Sequence, residues 1–279
     1  MAELRNIKWG SFIKALLERD SLEALVKSRS LQWFFTKGFR KNGFMLIDDL
    51  QDLILEYRGV KFYPSLLNYP RMFEAWDRYN IEGIRPEDVV LDVGANVGSF
   101  TLPVAKRCKK VIAVEPMFTD LLIRNIELNN LHNIEVIDRA IGLGVAKDTE
   151  VDCQEYQGRF VSIDPTVLLE TYGPLDVVRL DCGGMEGTFN LDKYKDVRQW
   201  EVEFHSWEGV VDHAALLWNG WKEHLDKNGY GYKARWSKHK HWMYLSASKE
   251  YNYREEIQLR NGDMRTAEAR ALLLSPRSW

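Results

Sequence analysis

Four ionisable residues in the second half of the chain have the types and spacing needed for proton transfer: Asp181, Glu186, Glu203 and His205. A hydroxyl is a weak nucleophile until a positioned carboxylate or imidazole takes its proton. His205 is the candidate base, because Glu203 precedes it by two residues and strand alternation places both side chains on one face. The group predicts acid–base catalysis, with a structural role for each residue as the alternative.

The same residues could support metal chemistry. Asp181 with Glu203 or His205 could hold a hard divalent cation that lowers the pKa of a bound hydroxyl, since oxygen-rich sites suit magnesium. However, the chain has no metal motif of strong spacing, and its 3 cysteines form no CxxC pair. We therefore assign no metal ligand from the sequence.

A glycine loop is the strongest ligand-binding signal. The run DVGANVG at 92–98 follows an apolar strand and opens a helix. Its glycines allow a tight turn and close backbone approach, and the helix start offers N–H groups to a carboxylate, which suits the methionine end of S-adenosylmethionine. The spacing differs from the GxGxxG fingerprint of dinucleotide sites, and Asp92 would serve a pyrophosphate poorly.

Acidic and basic residues at the ends of the next strands complete this prediction. Glu115 ends the second strand, where it can accept hydrogen bonds from both ribose hydroxyls. Asp138 and Arg139 end the third strand, where adenine would lie. We assign cofactor contacts to Asp92, Gly94, Ala95, Asn96, Gly98, Glu115, Asp138 and Arg139.

Short apolar runs alternating with helical patterns begin at Val89 and predict a parallel sheet covered on both faces. A terminal antiparallel hairpin is predicted to follow, with its turn in SKHK. The predicted strands are 89–94, 110–116, 134–142, 175–181, 200–205, 230–236 and 241–247. The predicted helices are 98–107, 118–130, 185–196 and 212–227.

These elements predict an α/β fold with a mostly parallel, seven-stranded, Rossmann-like sheet of the class I methyltransferase type. An N-terminal appendage (1–74) precedes the core (75–250), and a C-terminal extension (251–279) follows it. The appendage combines a basic segment, 1–44, in which amphipathic helices are expected, with a hairpin turning at Arg58-Gly59.

Charge and hydropathy bear on the partners and the location of the protein. The formal net charge of -3 gives no overall attraction to nucleic acid or to an anionic membrane. No run approaches the roughly 18 to 20 apolar residues of a membrane span, and Glu18, Arg19 and Asp20 interrupt any signal-peptide core. We expect a cytoplasmic protein, and the oligomeric state stays open.

Five segments carry a family resemblance: VVLDVGANVGSFTLPVAK, VIAVEPMFTDLLIRNIELNN, NIEVIDRAIG, VVRLDCGGMEG and EVEFH. Together they resemble FkbM-type methyltransferases over roughly residues 75 to 250. The resemblance implies a class I fold and O-methylation of hydroxyl groups on sugars and natural products. Gly183 departs from it by standing where the family usually has an acid.

The sequence therefore predicts an S-adenosylmethionine-dependent methyltransferase that acts on a hydroxyl of a small molecule or glycan. An aromatic and basic strip between Tyr230 and Tyr244 could stack sugar or nucleobase rings, or its aromatics could pack on the sheet. The net charge and the absence of an Asn-Pro-Pro-Tyr type motif argue against a nucleic-acid acceptor. RNA methylation and a cofactor-binding scaffold without catalysis are the alternatives.

Overall fold

The computed structural model describes residues 45–46, 54–63, 76, 78–142, 148–153, 156–205, 213–236 and 242–258. The chain divides into two compact units, Met1–Met72 and Phe73–Trp279. The expected helices of the basic N-terminal segment and most of the C-terminal extension lie outside the described residues. The domain boundaries at 74 and 250 stay predictions.

A three-stranded antiparallel sheet forms the described part of the first unit. Its strands are β1 (Met45–Leu46), β2 (Leu55–Tyr57) and β3 (Val60–Phe62), in that order. Arg58 and Gly59, with φ values of 49° and 75°, connect β2 to β3. Two residues of positive φ match the twist of a hairpin, so the predicted turn is confirmed.

The second unit contains an eight-stranded sheet. Its first five strands in the chain are mutually parallel: β4 (Val89–Val93), β5 (Lys110–Val114), β6 (Ile134–Ile137), β10 (Val177–Leu180) and β11 (Gln199–His205). The remaining strands are β12 (Gly231–Trp236), β13 (Trp242–Ser248) and β14 (Arg254–Gln258). The order across the sheet is β14-β12-β13-β11-β10-β4-β5-β6.

One antiparallel strand distinguishes this sheet from a plain nucleotide-binding fold. The hairpin strand β13 inserts between β11 and β12 and runs antiparallel to both. The predicted Rossmann-like class and terminal hairpin are therefore confirmed. The eighth strand, β14, pairs parallel to β12 and extends the sheet beyond residue 250.

A smaller sheet leaves the main one after β6. The single strand expected at 134–142 is two strands, because Asp138 and Arg139 interrupt it and β7 (Ala140–Ile141) pairs elsewhere. Its partner is β9 (Tyr156–Ile163), which also pairs with β8 (Asp148–Cys153). The sequence analysis did not predict this hairpin.

Among the described residues, three helices lie within predicted ranges and a fourth was not predicted. They are α1 (Thr101–Ala105), α2 (Thr119–Leu128), α3 (Pro165–Tyr172) and α4 (His213–Lys227). Helix α1 has only 5 residues, so it gives no basis for an anion site at a helix start. The unpredicted α3 has a readable start, because Asp164 caps the N–H of Thr166 and Pro165 occupies the first turn.

The helix predicted at 185–196 is wrong. Two 3₁₀ turns, Met185–Thr188 and Leu191–Tyr194, take its place. Phe189 is extended between them, and the side chain of Asn190 accepts from the N–H of Asp192 to start the second turn. An Asn side chain that bonds a nearby main-chain N–H competes with a continuous helix.

The core lies on both faces of the parallel strands. Trp200 of β11 is fully buried and makes an edge contact with Trp221 of α4, with ring centroids 4.9 Å apart. Apolar residues of β4, such as Val90 and Leu91, are also fully buried, as expected of a parallel strand covered on both faces. Among the described residues, no helix has the length and apolar content needed to span a bilayer.

In the closing hairpin the aromatic side chains pack inside the protein, which was the alternative to a ring-stacking surface. Tyr230, Tyr232, Trp236 and Tyr244 are all buried, at 9% exposure or less, so their rings pack within the protein. Arg235 is buried as well, at 3%, instead of facing water. The described part of this strip therefore offers no aromatic surface for stacking a sugar or a base.

Candidate active site

The glycine loop that follows β4 lies against the end of β10. Gly94 has a φ of 81°, and a Cβ at this position would overlap the carbonyl oxygen of Asp181. Both the dihedral angle and the close approach require glycine here. The loop is therefore held directly beside a predicted acceptor-side residue.

Hydrogen bonds close the loop upon itself and upon β5. The N–H groups of Gly94 and Ala95 donate to the carbonyl of Val114, at 2.9 and 3.1 Å. Asn96 is in the left-handed region, with a φ of 53°, and its side chain accepts from the next N–H at 2.8 Å. Gly98, with a φ of 95°, leaves no room for a Cβ beside Leu102.

Glu115 lies at the carboxyl end of β5 and is 4% exposed. Its Oε2 accepts from the N–H of Asn96 at 2.8 Å, and its Oε1 from those of Met117 and Phe118 at 2.7 and 3.0 Å. Burial raises the pKa of Glu115 and these three bonds oppose the change. The three bonds use three of the roughly four acceptor positions of an ionised carboxylate.

The other predicted cofactor residues occupy different surroundings. Asp92 is fully buried between Thr101 and Arg179, whose Nη1 lies 3.1 Å from its Oδ1, so its carboxylate supports the loop from behind. Asp138 and Arg139 are exposed at the end of β6, and the Asp138 carboxylate accepts from Thr119 at 3.2 Å. A cofactor role for all eight residues stays a prediction.

Three of the predicted catalytic residues converge at the ends of β10 and β11. One ligand atom from each of Asp181, Glu203 and His205 lies within 4.8 Å of the others. The Nε2 of His205 is 3.6 Å from Oδ1 of Asp181 and 3.5 Å from Oε1 of Glu203. Strand alternation does place Glu203 and His205 side by side.

Glu186, the fourth predicted residue, lies on the opposite side of the imidazole. It is fully buried, and its Oε1 is 3.2 Å from Nδ1 of His205. The same oxygen accepts from the N–H groups of Cys182 and Gly184, at 3.1 and 3.2 Å. Glu186 thus orients the ring and also holds the turn after β10.

The protonation state of His205 counts against its predicted role. Burial disfavours the charged imidazole, but the hydrogen bond and charge of Glu186, with the charges of Glu203 and Asp181, outweigh it and raise the pKa of His205 to about 10. At this pKa the ring carries, at neutral pH, the proton that a general base must accept. A catalytic role for His205 stays a prediction.

A buried cation balances the acidic residues of the site, and the sequence analysis did not assign it. Arg179 is 5% exposed and forms an ion pair with Asp181, while its Nη1 donates to Asp92 at 3.1 Å and to the carbonyl of Gly94 at 2.7 Å. It links the glycine loop to the acid cluster. The signal was present in the sequence, since an arginine within the apolar run VVRL needs buried partners.

A second cationic contact holds Glu203. Nη1 of Arg78 lies 3.0 Å from its Oε2, and the Tyr244 hydroxyl donates to its Oε1 at 2.9 Å. The Arg78 guanidinium also stacks over the Tyr244 ring, 4.3 Å from the centroid. Arg78 and Glu203 are 125 positions apart, so no local pattern could have paired them.

No protein-family model matches the chain. Short segments are similar to curated methyltransferases: 45% identity over 56 residues with a probable small-subunit ribosomal RNA methyltransferase A of Methanosphaera stadtmanae, covering 19% of this chain and 21% of that protein. A probable cobalt-precorrin-6B C(15)-methyltransferase of Methanococcus vannielii is 39% identical over 67 residues, 23% of this chain and 34% of that protein. A 23S rRNA uracil-C5 methyltransferase of Haemophilus influenzae is 37% identical over 73 residues, 25% of this chain and 16% of that protein.

The chain thus matches between 16% and 34% of the length of these relatives. Among solved structures, TYW2 of M. jannaschii in complex with AdoMet is 22% identical, with a TM-score of 0.41 over 73% of this chain and 88% of that one. Trm5b of Pyrococcus abyssi is 15% identical, with a TM-score of 0.43 over 72% and 56%. Likenesses of this degree carry no argument about activity, and the fold follows from the strand order of the chain itself.

The comparisons correct one expectation. Two of the three curated relatives are named as ribosomal RNA methyltransferases. The argument against a nucleic-acid acceptor, made from net charge and a missing motif, is therefore wrong. Net charge failed as a guide because an acceptor contacts one local surface, whereas the total charge averages over the whole molecule.

Proposed function

We propose that this protein transfers a methyl group from S-adenosylmethionine to an acceptor. The observation that carries the proposal is one juxtaposition: the glycine loop and Glu115 lie at the carboxyl ends of β4 and β5, in a sheet whose β13 is antiparallel. In open α/β sheets, ligands bind beyond these strand ends. Short matches to three curated methyltransferases support the same activity.

Charge favours this cofactor over a dinucleotide. The loop is surrounded by carboxylates, with Asp92 beneath it, Glu115 at its side and Asp181 at the neighbouring strand end. Arg179, the buried cation beside the loop, is paired with two of them. A pyrophosphate would meet net negative charge there, whereas the sulfonium of S-adenosylmethionine is a cation.

The chemistry assigned to the acid cluster is activation of the acceptor. A lone pair of the acceptor forms a bond to the methyl carbon, and the bond from that carbon to sulfur breaks. Its electron pair stays on sulfur, which becomes a neutral thioether. The proton lost by the acceptor passes to a carboxylate of Asp181 or Glu203 and then to water.

RNA is the acceptor class to test first, because two relatives are named for ribosomal RNA. An RNA base would have to enter an acid-lined site as a ring extruded from its stack, leaving its phosphates outside. The small-molecule or glycan hydroxyl is the second candidate, and it rests on the FkbM resemblance. The relatives that match do not include that subfamily.

The experiment has two steps. Calorimetry with S-adenosylhomocysteine, S-adenosylmethionine and NAD should give binding of the first two alone, and tight NAD binding without the others would overturn the cofactor. Labelled S-adenosylmethionine is then supplied with total RNA or with a small-molecule extract. Label that ribonuclease releases supports RNA, label in a ribonuclease-resistant product supports the hydroxyl, and no label with either contradicts methyl transfer.

A further inference from the structure

We propose that Asp181, Glu203 and His205 bind a divalent metal cation. The candidate ligand atoms are Oδ1, Oε1 and Nε2, and the nitrogen lies 3.6 and 3.5 Å from the two oxygens. Metal–ligand bonds of about 2.0 to 2.2 Å place neighbouring ligand atoms about 3 to 3.5 Å apart. Both distances from the nitrogen are thus near the spacing of a coordination shell, and one ligand atom from each residue lies within 4.8 Å of the others.

The histidine is oriented as a metal ligand would be. Its Nδ1 is 3.2 Å from the carboxylate of Glu186, so its Nε2 faces the two other acids. Metal-binding histidines almost always give the other ring N–H to a carboxylate, a carbonyl or water. A single ring orientation therefore satisfies Glu186 and directs Nε2 into the cluster.

Each carboxylate ligand is held in the same manner by its second oxygen. Oδ2 of Asp181 pairs with Arg179, and Oε2 of Glu203 is 3.0 Å from Nη1 of Arg78. These partners leave Oδ1 directed toward the imidazole, and Oε1 faces it while also accepting from the Tyr244 hydroxyl at 2.9 Å. Three ligands supported by three different neighbours form a built constellation instead of a chance cluster of acids.

Glu186 supplies an independent observation. It is fully buried, and among the described residues its Oε2 has no hydrogen-bond partner. A buried carboxylate with an unsatisfied oxygen is costly unless positive charge lies close by. A divalent cation on Nε2 would place more positive charge near Glu186 than a proton on that nitrogen does.

The charge balance shows what the cation would replace. Asp92, Asp181, Glu186 and Glu203 contribute four negative charges, and Arg78 and Arg179 contribute two positive ones. With a neutral imidazole the sum is -4 + 2 = -2, which a divalent cation would offset fully and a ring proton by half. A metal ion bound to Nε2 takes the place of a proton on that atom.

Two carboxylates and one imidazole suit a first-row ion such as Mn²⁺ better than Mg²⁺, which prefers oxygen ligands alone. In the proposed function, the ion would hold an acceptor oxygen and lower the pKa of its hydroxyl. The site itself does not require methyl transfer. Binding can therefore be measured even if that function fails.

The test is a titration of the chelator-treated 279-residue chain with Mn²⁺, followed by electron paramagnetic resonance. We expect one bound ion per chain and a nitrogen coupling from His205. Asp181→Asn and His205→Ala should each weaken binding by more than about 100-fold, and Glu186→Gln by about 10- to 100-fold. Glu82→Gln, a carboxylate exposed by 76%, is the matched control and should bind as the wild type does.

Circular dichroism establishes that each variant is folded. Glu186→Gln keeps all three proposed ligands, so weaker binding in this variant reports the loss of the Glu186 charge and not the loss of a ligand. Absence of stoichiometric binding in the wild type would overturn the proposal. Binding that Asp181→Asn and His205→Ala leave unchanged, or that lacks the nitrogen coupling, would overturn it equally. In those cases the imidazolium is the cation of the cluster.

Discussion

The cofactor side and the acceptor side of this sheet edge are held together in different ways. On the cofactor side, Glu115 accepts three main-chain N–H groups, all within 19 positions of it in the chain. On the acceptor side, Glu203 is held by the side chains of Arg78 and Tyr244, which are 125 and 41 positions away. Main-chain geometry therefore shapes the first region, and charge balance shapes the second.

The difference predicts different responses to substitution. A region built from main-chain turns should be sensitive to added volume and to changes in φ. A region built from buried charges should be sensitive to the loss of a partner, because the remaining charge stays buried without compensation. Arg179 belongs to both regions, so it provides the strongest test of the distinction.

Removing Arg179 should have the largest effect. Arg179→Met leaves the fully buried Asp92 without its cation, and we expect the free energy of unfolding to fall by about 3 to 5 kcal/mol. The matched control is Arg107→Met, whose ion pair with Glu82 is exposed and should contribute about 0 to 1 kcal/mol. Urea unfolding of both variants measures the difference, and equal losses would contradict a linking role for Arg179.

Removing His205 should affect the acceptor side alone. We expect His205→Ala to lower turnover by about 10²- to 10⁴-fold, the range for proton transfer, since Asp181 and Glu203 lose the ring that lies beside both carboxylates. Affinity for S-adenosylhomocysteine should stay within about twofold of wild type, less than about 0.4 kcal/mol. His132→Ala changes an exposed histidine and serves as the control. Full turnover in His205→Ala would return His205 to a structural role.

Alanine substitutions at two glycines test how closely the loop of the cofactor side is packed. Gly94 and Gly183 both have positive φ, 81° and 65°, but a Cβ on Gly94 would overlap the carbonyl of Asp181, whereas a Cβ on Gly183 meets nothing within 4 Å. Each alanine variant should lose about 1 to 2 kcal/mol of stability from the left-handed backbone. Gly94→Ala should lose about 1 to 3 kcal/mol more from overpacking.

Thermal or urea unfolding of the two glycine variants, together with calorimetry of S-adenosylhomocysteine, provides the measurement. Gly94→Ala should also lose cofactor affinity, because the loop must shift away from β10. If the two variants have equal stability and equal affinity, close packing of the loop against Asp181 is not what holds the cofactor side in place.

The smallest effect is expected at the ribose end. Glu115→Gln keeps one acceptor oxygen for the N–H groups of Met117 and Phe118 but removes the charge and turns an NH2 donor toward the N–H of Asn96. S-adenosylhomocysteine should therefore bind more weakly by about 1 to 3 kcal/mol. Glu127→Gln, an exposed residue of α2, is the control. A folded Glu115→Gln variant with wild-type affinity would remove Glu115 from the ribose contact.

Local signals were sufficient for much of the fold. The apolar runs predicted the parallel strands, and the Arg58-Gly59 pair predicted the hairpin turn, because strand period and positive φ are properties of a few adjacent residues. Helix α3 could also have been predicted from Asp164-Pro165, which is a readable start signal. The helix expected at 185–196 failed because Asn190 could instead bond the backbone and restart a turn.

For the site, the sequence by itself determined which ionisable residues stand at strand ends and that Glu203 and His205 share a face, since the strand period alone decides this. Only the tertiary structure decided what those groups do to one another. Glu186 contacts the ring of His205, 19 positions further along the chain. Arg179 of β10 pairs with the carboxylates of Asp92 and Asp181. Charge acts through distance in space and through burial, and positions along the chain specify neither.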